Sequence, residues 1–304
     1  MKRWLFRLAL LALGIVVALL ALEVFLRVFD PGRYRELEER EAFSERVLRR
    51  DADGVLRLRP GVETTFLGKR VAISAIGLRN PPVVVPKPAD VYRIVVVGDS
   101  VPFGWGVGED EAFPRLLERE LQREPRTDGR RIEVVNAGIP GFGLVEEYVW
   151  LRDHGLAMAP DLVVHCVIAN DVEPPPGMPK LILTPALRRV RTLRLVERMV
   201  EKVGGSSAVD PAAGITPQQL VFSIDRFVEL CRSVGATYVF MDTVAVPDAV
   251  RHCQERGIDR TDCFISVAWI DAHRVRPTDF HPDADGHRWL AARVLPVVRD
   301  VANR

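Results

Sequence analysis

The sequence predicts an α/β protein of three layers, α/β/α, built on a doubly wound, mostly parallel sheet of five strands and preceded by an N-terminal transmembrane helix. Three observations carry this expectation. From Tyr92 onward, apolar β-branched runs alternate with amphipathic helical patterns, the rhythm of parallel strands joined by crossover helices. Three of these runs end in small or polar triplets, Gly98-Asp99-Ser100, Asn136-Ala137-Gly138 and Ala169-Asn170-Asp171. In a parallel sheet such ends share one edge, which is where open α/β sheets assemble their sites. Ahead of the sheet stands an apolar segment with a basic flank.

That segment comes first in the chain. Leu8 to Leu22 carries no charge, and with Trp4 to Phe6 and Val24 to Leu26 it reaches the roughly 20 residues a bilayer requires. Arg7 and Arg27 can extend their charges to the two interfaces. Lys2, Arg3 and Arg7 favour a cytoplasmic N-terminus. No small-x-small cleavage site follows the apolar run and no lipobox cysteine is present. An uncleaved anchor over 1–29 is therefore expected, in preference to a cleaved signal peptide. It would hold a periplasmic domain at the cell membrane. Residues 30–90 read as a stem. Asp30-Pro31-Gly32 breaks the helix, Arg33 to Arg50 interleaves Glu and Arg as a solvated helix, and Asp51 to Gly54 is a turn. Leu56 to Arg79 alternates as a small β-ribbon. Pro81, Pro82, Pro86 and Pro88 mark an extended linker.

Residues 91–304 carry the sheet. Tyr92 to Val97 is the first strand, followed by the glycine-rich loop Val101 to Gly108. The loop has neither GxxxxGK[ST] nor GxGxxG, so it is not a nucleotide cradle. Pro114 opens an amphipathic helix, Phe113 to Arg123. Arg131 to Val135 is the second strand, Leu144 to His154 a helix, and Asp161 to Ile168 the third strand. Pro174-Pro175-Pro176 opens a helical insertion over about 174–215, rich in Arg and Leu. Thr216-Pro-Gln-Gln219 is a capping box with proline at the first helical position. Ala236 to Met241 is the fourth strand and Phe264 to Ile270 the fifth. Asp283 or Asp285 caps a last helix bearing Trp289, Leu290, Val294 and Val298.

Composition removes several function classes. The 304-residue chain has a net charge of +1, which argues against a general electrostatic grip on nucleic acid. Its four cysteines, Cys166, Cys231, Cys253 and Cys263, show no CxxC spacing, so a zinc site of the usual kind is not expected. Cys166 and Cys231 lie on apolar faces and read as core. Cys253 and Cys263 flank a polar loop, and an oxidising compartment would permit a disulfide between them. Asp279, His281, Asp283, Asp285 and His287 form a dense polar cluster. Its carboxylates bracket a helix start, where exposed amides favour acids, and this reading is preferred to a metal site.

The residues quoted resemble those of the SGNH hydrolase superfamily, the GDSL esterases, over about Tyr92 to Val301. Gly98-Asp99-Ser100 with Gly104 is similar to the first block of that family. Asn136-Ala-Gly-Ile-Pro-Gly141 resembles the second, Ala169-Asn170-Asp171 the third, and His281-Pro282 the last. The resemblance implies a flavodoxin-like sheet, no cofactor, Ser100 as nucleophile and His281 as general base. It implies an oxyanion hole from the Ser100 and Gly141 N–H groups and the Asn170 side chain. The family's acid stands three residues before the histidine. Here that position is Thr278, and Asp279, two before, is expected to take the role from an irregular loop. His287 reads as structural. The implied activity is that of a membrane-anchored serine esterase removing an acyl group, acetyl being expected, from an envelope carbohydrate or a small ester. Acyl transfer to a polysaccharide by the same residues and a non-catalytic carbohydrate-binding role remain open as alternatives.

Overall fold

The computed structural model describes residues 2–29, 33–51, 54–124, 126–168, 190–193, 195–196, 216–277 and 279–304. The chain forms two compact units, 1–42 with 174–214, and 43–173 with 215–304. In the first unit, α1 (Lys2–Val28) is one helix of 27 residues. At 1.5 Å per residue it spans about 40 Å, and its apolar stretch, of mean hydropathy 2.8, is long enough to cross a membrane. Glu23 accepts the N–H groups of Thr192 (2.8 Å) and Arg191 (3.2 Å) and the Thr192 hydroxyl (2.8 Å). It thereby caps the helical residues 191–193, where exposed amides favour an acid. Most of the expected helical insertion lies outside the described residues.

The second unit begins inside the next helix, α2 (Arg33–Val47). The sequence reads this helix as solvated throughout, but its last turn is not. Phe43 and Val47 stand four residues apart, one above the other on a helical face, and both are buried in a core cluster shared with the sheet. The helix is followed by two antiparallel hairpins. β1 (Leu48–Arg50) pairs with β2 (Leu56–Leu58), and β3 (Glu63–Phe66) with β4 (Lys69–Ala72). The ribbon expected over 56–79 is thus divided in two, and its first partner strand is the end of the charged segment.

The main sheet contains β5 (Val91–Gly98), β6 (Arg131–Gly138), β7 (Leu162–Val167), β8 (Thr237–Asp242) and β9 (Asp259–Asp262). All pairings are parallel. The spatial order is β6-β5-β7-β8-β9, the flavodoxin-like order whose switch point lies beside the first strand. Alternation along β5 sends Val95 and Val97 to one face and Ile94 and Val96 to the other. One face is covered by α4 (Phe113–Leu121) and, later in the chain, by the last helix, through Phe113, Leu117, Leu290 and Val294. The other is covered by α5 (Leu144–Trp150), α6 (Pro217–Arg232) and α7 (Pro247–Arg256), together with the hairpins. Burial of each such side chain contributes about 1.5–3 kcal/mol.

The fifth strand is not where the sequence places it. The edge strand is Asp259–Asp262, and Val267–Ala272, inside the expected strand, is helix α8. Ser266 caps α8 by accepting the Trp269 N–H, a local bond that outweighs the β-branched look of the run. β10 (Arg274–Arg276) and β11 (Asp279–Pro282) form a third hairpin. The final helix, α9 (Ala284–Asn303), is capped by Asp283, which accepts the Gly286 N–H at 2.9 Å. The cysteines are free and buried. Cys253 and Cys263 belong to core clusters on opposite faces of the sheet, so the disulfide considered from the sequence does not form.

Candidate active site

β5 ends at Gly98, and the chain turns at once into a one-turn helix, α3 (Ser100–Phe103). Asp99 caps it by accepting the Val101 N–H at 3.0 Å. As the first helical residue, Ser100 presents an N–H with no acceptor inside the helix. β5 and β6 are in register, with Gly98 opposite Gly138, so the loop after β6 emerges at the same edge. Its Ile139-Pro140-Gly141-Phe142 turn closes through the Phe142 N–H and the Ile139 carbonyl (3.1 Å). Gly141 has φ of 84°, the left-handed value the third residue of a type II turn requires. The turn does not use the Gly141 N–H.

Ser100, Asp279 and His281 come together at this edge. Asp279 and His281 are two residues apart on β11, so alternation puts both side chains on one face of the strand. Exposed Phe280 separates them in sequence. The spacing read as a shift within an irregular loop is therefore the period of a strand. Asp279 Oδ1 lies 2.5 Å from His281 Nδ1 and also accepts the His281 backbone N–H at 3.3 Å. With Nδ1–H donated to that carboxylate, Nε2 carries the lone pair and faces Ser100 Oγ at 2.8 Å. Oγ is also 2.9 Å from Asp99 Oδ2. Asn170, the third expected oxyanion donor, lies outside the described residues, as does Thr278.

Several groups support this edge, of which Asn136 stands in the second block and the others gave no motif in the sequence. Arg79 is fully buried and donates to the carbonyls of Phe103 (3.1 Å), Gly104 (2.6 Å) and Val107 (2.7 Å). Burial pushes its pKa down to about 10. It fastens the loop that follows Ser100. Asn136 donates to the Pro102 carbonyl (2.7 Å) and accepts the Gly138 N–H (3.0 Å), tying α3 to the end of β6. A buried chain, Glu147–His165–Tyr238, ties α5 to the sheet. His165 Nε2 is 2.8 Å from Glu147 Oε2 and Nδ1 is 2.9 Å from the Tyr238 hydroxyl. Burial pushes the imidazole down to about 3. Burial, and then the Asp99 charge, raises the Glu147 carboxyl well above the usual range. The signal available was a histidine inside the apolar run Val163 to Val167.

His287 is buried and accepts the Phe113 N–H on Nδ1 at 3.2 Å, a structural role. Among the described residues no group of three or more His, Cys, Asp or Glu could hold a metal ion. A cavity of about 440 Å³ bordered by Trp150, His154 and Arg49 meets the Gly141 turn at Ile139 and contains none of Ser100, Asp279 and His281.

A hydroxyl, an imidazole and a carboxylate in line at the carboxyl edge of a parallel sheet define a serine hydrolase. Residues 96–289, more than half of the chain, match the GDSL-like lipase/acylhydrolase family, and the protein belongs to that family of ester-hydrolysing enzymes. Among solved structures it is similar to TesA, at 16% identity and a TM-score of 0.46, over 69% of this chain and 99% of that one. It is also similar to the lipase/acylhydrolase from Enterococcus faecalis, at 15% identity and a TM-score of 0.44, over 69% of this chain and 96% of that one. A third is the psychrotrophic esterase EstA from Pseudoalteromonas sp., at 12% identity and a TM-score of 0.45, over 70% of this chain and 99% of that one. No curated protein matches the sequence.

Proposed function

We propose that the protein is a membrane-anchored serine esterase that removes an acyl group, acetyl being the expected one, from an envelope carbohydrate or a small ester. The observation that carries this reading is the unbroken path from Ser100 Oγ to His281 Nε2 (2.8 Å) and from His281 Nδ1 to Asp279 (2.5 Å). In this reading Nε2 takes the Oγ proton as Oγ attacks the ester carbonyl carbon. Asp279 holds the imidazole in the tautomer that leaves Nε2 free and stabilises the imidazolium that forms. The N–H groups of Ser100 and Gly141 and the Asn170 side chain receive the oxyanion, each worth about 2.7–4 kcal/mol if removed. His281 then gives its proton to the departing alkoxide, leaving an acyl-serine. Water, activated by the same imidazole, releases the acid and restores Ser100. A sugar hydroxyl in place of that water turns the second step into acyl transfer, and product analysis with candidate glycans separates the two.

The anchor reading is supported by the length and apolar character of α1. The basic residues Lys2, Arg3 and Arg7 support a cytoplasmic N-terminus and a periplasmic domain. The nucleophile is tested with Ser100→Ala and a small activated acetyl ester. Turnover and labelling by a fluorophosphonate are both expected to vanish, and wild-type turnover in the variant would overturn the mechanism.

A further inference from the structure

The glycine-rich loop after Ser100 reaches the site through Trp105. Its indole N–H donates to Asp279 Oδ2 at 3.1 Å, the carboxylate oxygen that His281 does not use. The same indole stacks on the His281 imidazole, with centroids 5.2 Å apart and planes 29° from parallel. One side chain therefore touches both residues behind Ser100.

Trp105 is itself held from several directions and is 5% exposed. Its far side meets Phe43 from the end of α2 (5.3 Å, 81°) and Phe66 from β3 (4.8 Å, 68°). Those two rings stack on one another at 4.2 Å and 14°. Edge-to-face contacts of this kind contribute beyond their buried area. Gly106, at φ of 81°, follows directly, and a Cβ there would lie 2.9 Å from Val275 and 3.1 Å from Leu67. The loop is thus pressed between two hairpins while Arg79 grips the carbonyls on either side of Trp105.

A buried carboxylate loses much of its directing value if it can rotate. Asp279 is 3% exposed. With Oδ1 on His281 and Oδ2 on Trp105, rotation about its last bond would break hydrogen bonds at both oxygens. We propose that Trp105 is a positioning residue, which fixes the Asp279 carboxylate and the plane of His281. Phe43 and Phe66 brace it, so the segment before the sheet is part of the apparatus that acts on Ser100. This rests on the assignment of Asp279 as orienting acid.

The test is a double-mutant cycle on the full chain with a small activated acetyl ester. Trp105→Phe removes the N–H, and replacement of Trp105 by benzothienylalanine removes it while keeping the indole shape, so that folding is preserved. Each is expected to lower kcat roughly 10- to 100-fold with KM little changed, because the lost contact acts on positioning and not on substrate. In an Asp279→Asn background, itself expected to be severely impaired, the same replacements should cost nothing further. Equal losses in both backgrounds would mark a purely structural residue and overturn the proposal. So would wild-type kcat for the benzothienylalanine protein. Full activity of Asp279→Asn alone would instead overturn the acid assignment, and the failure of that reading would be told apart from the failure of this one.

Discussion

The Ser100 hydroxyl has one proton and two acceptors within reach, His281 Nε2 at 2.8 Å and Asp99 Oδ2 at 2.9 Å. Asp99 also caps α3 through Oδ1, which keeps its carboxylate beside Ser100, and the single proton can be donated to only one of the two acceptors at a time. A second residue-scale consequence concerns His287. Burial, with the nearby Arg79 and His281 charges, pushes its pKa down to about 3, against a smaller opposing pull from Glu111. An unfolded histidine takes up its proton near 6.5. Between these values the unfolded chain binds the extra proton, so stability is present above about pH 6.5 and is lost as pH falls toward 3. The slope approaches about 1.4 kcal/mol per pH unit for one proton. Thermal melts from pH 7 to pH 4 are expected to show His287→Asn losing less stability on acidification than the parent. A slope as steep as the parent's would mean that His287 is not the group involved. At this scale Ser100 and His281 could be picked out as candidates because each stands in a block that resembles the family's, and Asp279 as a carboxylate two residues before His281, off the family's spacing. Arg79 and Trp105 were not, because their roles come from partners 24 or more residues away in the chain.

Among the elements, β11 carries the most information. Asp279 and His281 share a face only because the segment is extended. Inserting one glycine between Asp279 and Phe280 would restore the three-residue spacing common in the family. It would also turn Asp279 away from the imidazole if the strand persists. Turnover of the acetyl ester is expected to fall as far as in Asp279→Asn, and retained activity would show that this segment behaves as a loop. The misplaced fifth strand has a similar lesson. Asp259-Arg260-Thr261-Asp262 has no apolar pattern, because an edge strand needs no two-sided burial. Its place comes from pairing with β8, a long-range contact that no local pattern announces. Phe43 and Val47 escaped notice for a related reason. Two apolar residues on a helix crowded with charge make a weak stripe, yet four-residue spacing sets both on the same side.

The molecule as a whole is divided by its contacts at Phe43 and not at the proline-rich linker. The cluster that covers one face of the sheet includes Phe43, Val47, Leu58, Phe66 and Leu78. At about 1.5–3 kcal/mol each, these side chains contribute as much as the whole net stability of an ordinary domain, about 5–15 kcal/mol. A chain lacking residues 1–32 is expected to fold and turn over the small ester. One lacking residues 1–80 is expected to be recovered unfolded and inactive, and a folded, active product would show the hairpins to be dispensable. The parallel sheet and its site edge were readable from the alternation of strands and helices and from the polar triplets that end three of the strands. The union of the stem with the sheet was not, because it depends on shape matching between distant segments.

The stacking of Trp105 on His281 has an optical consequence. An imidazolium quenches the emission of an indole it touches, whereas a neutral imidazole does so far less. On the mechanism proposed above, the charge that His281 gains and loses during turnover is expected to modulate the fluorescence of Trp105. Trp150 beside His154 and Trp269 beside His273 form similar pairs, so the signal is to be sought in a chain where those two indoles are replaced by Phe.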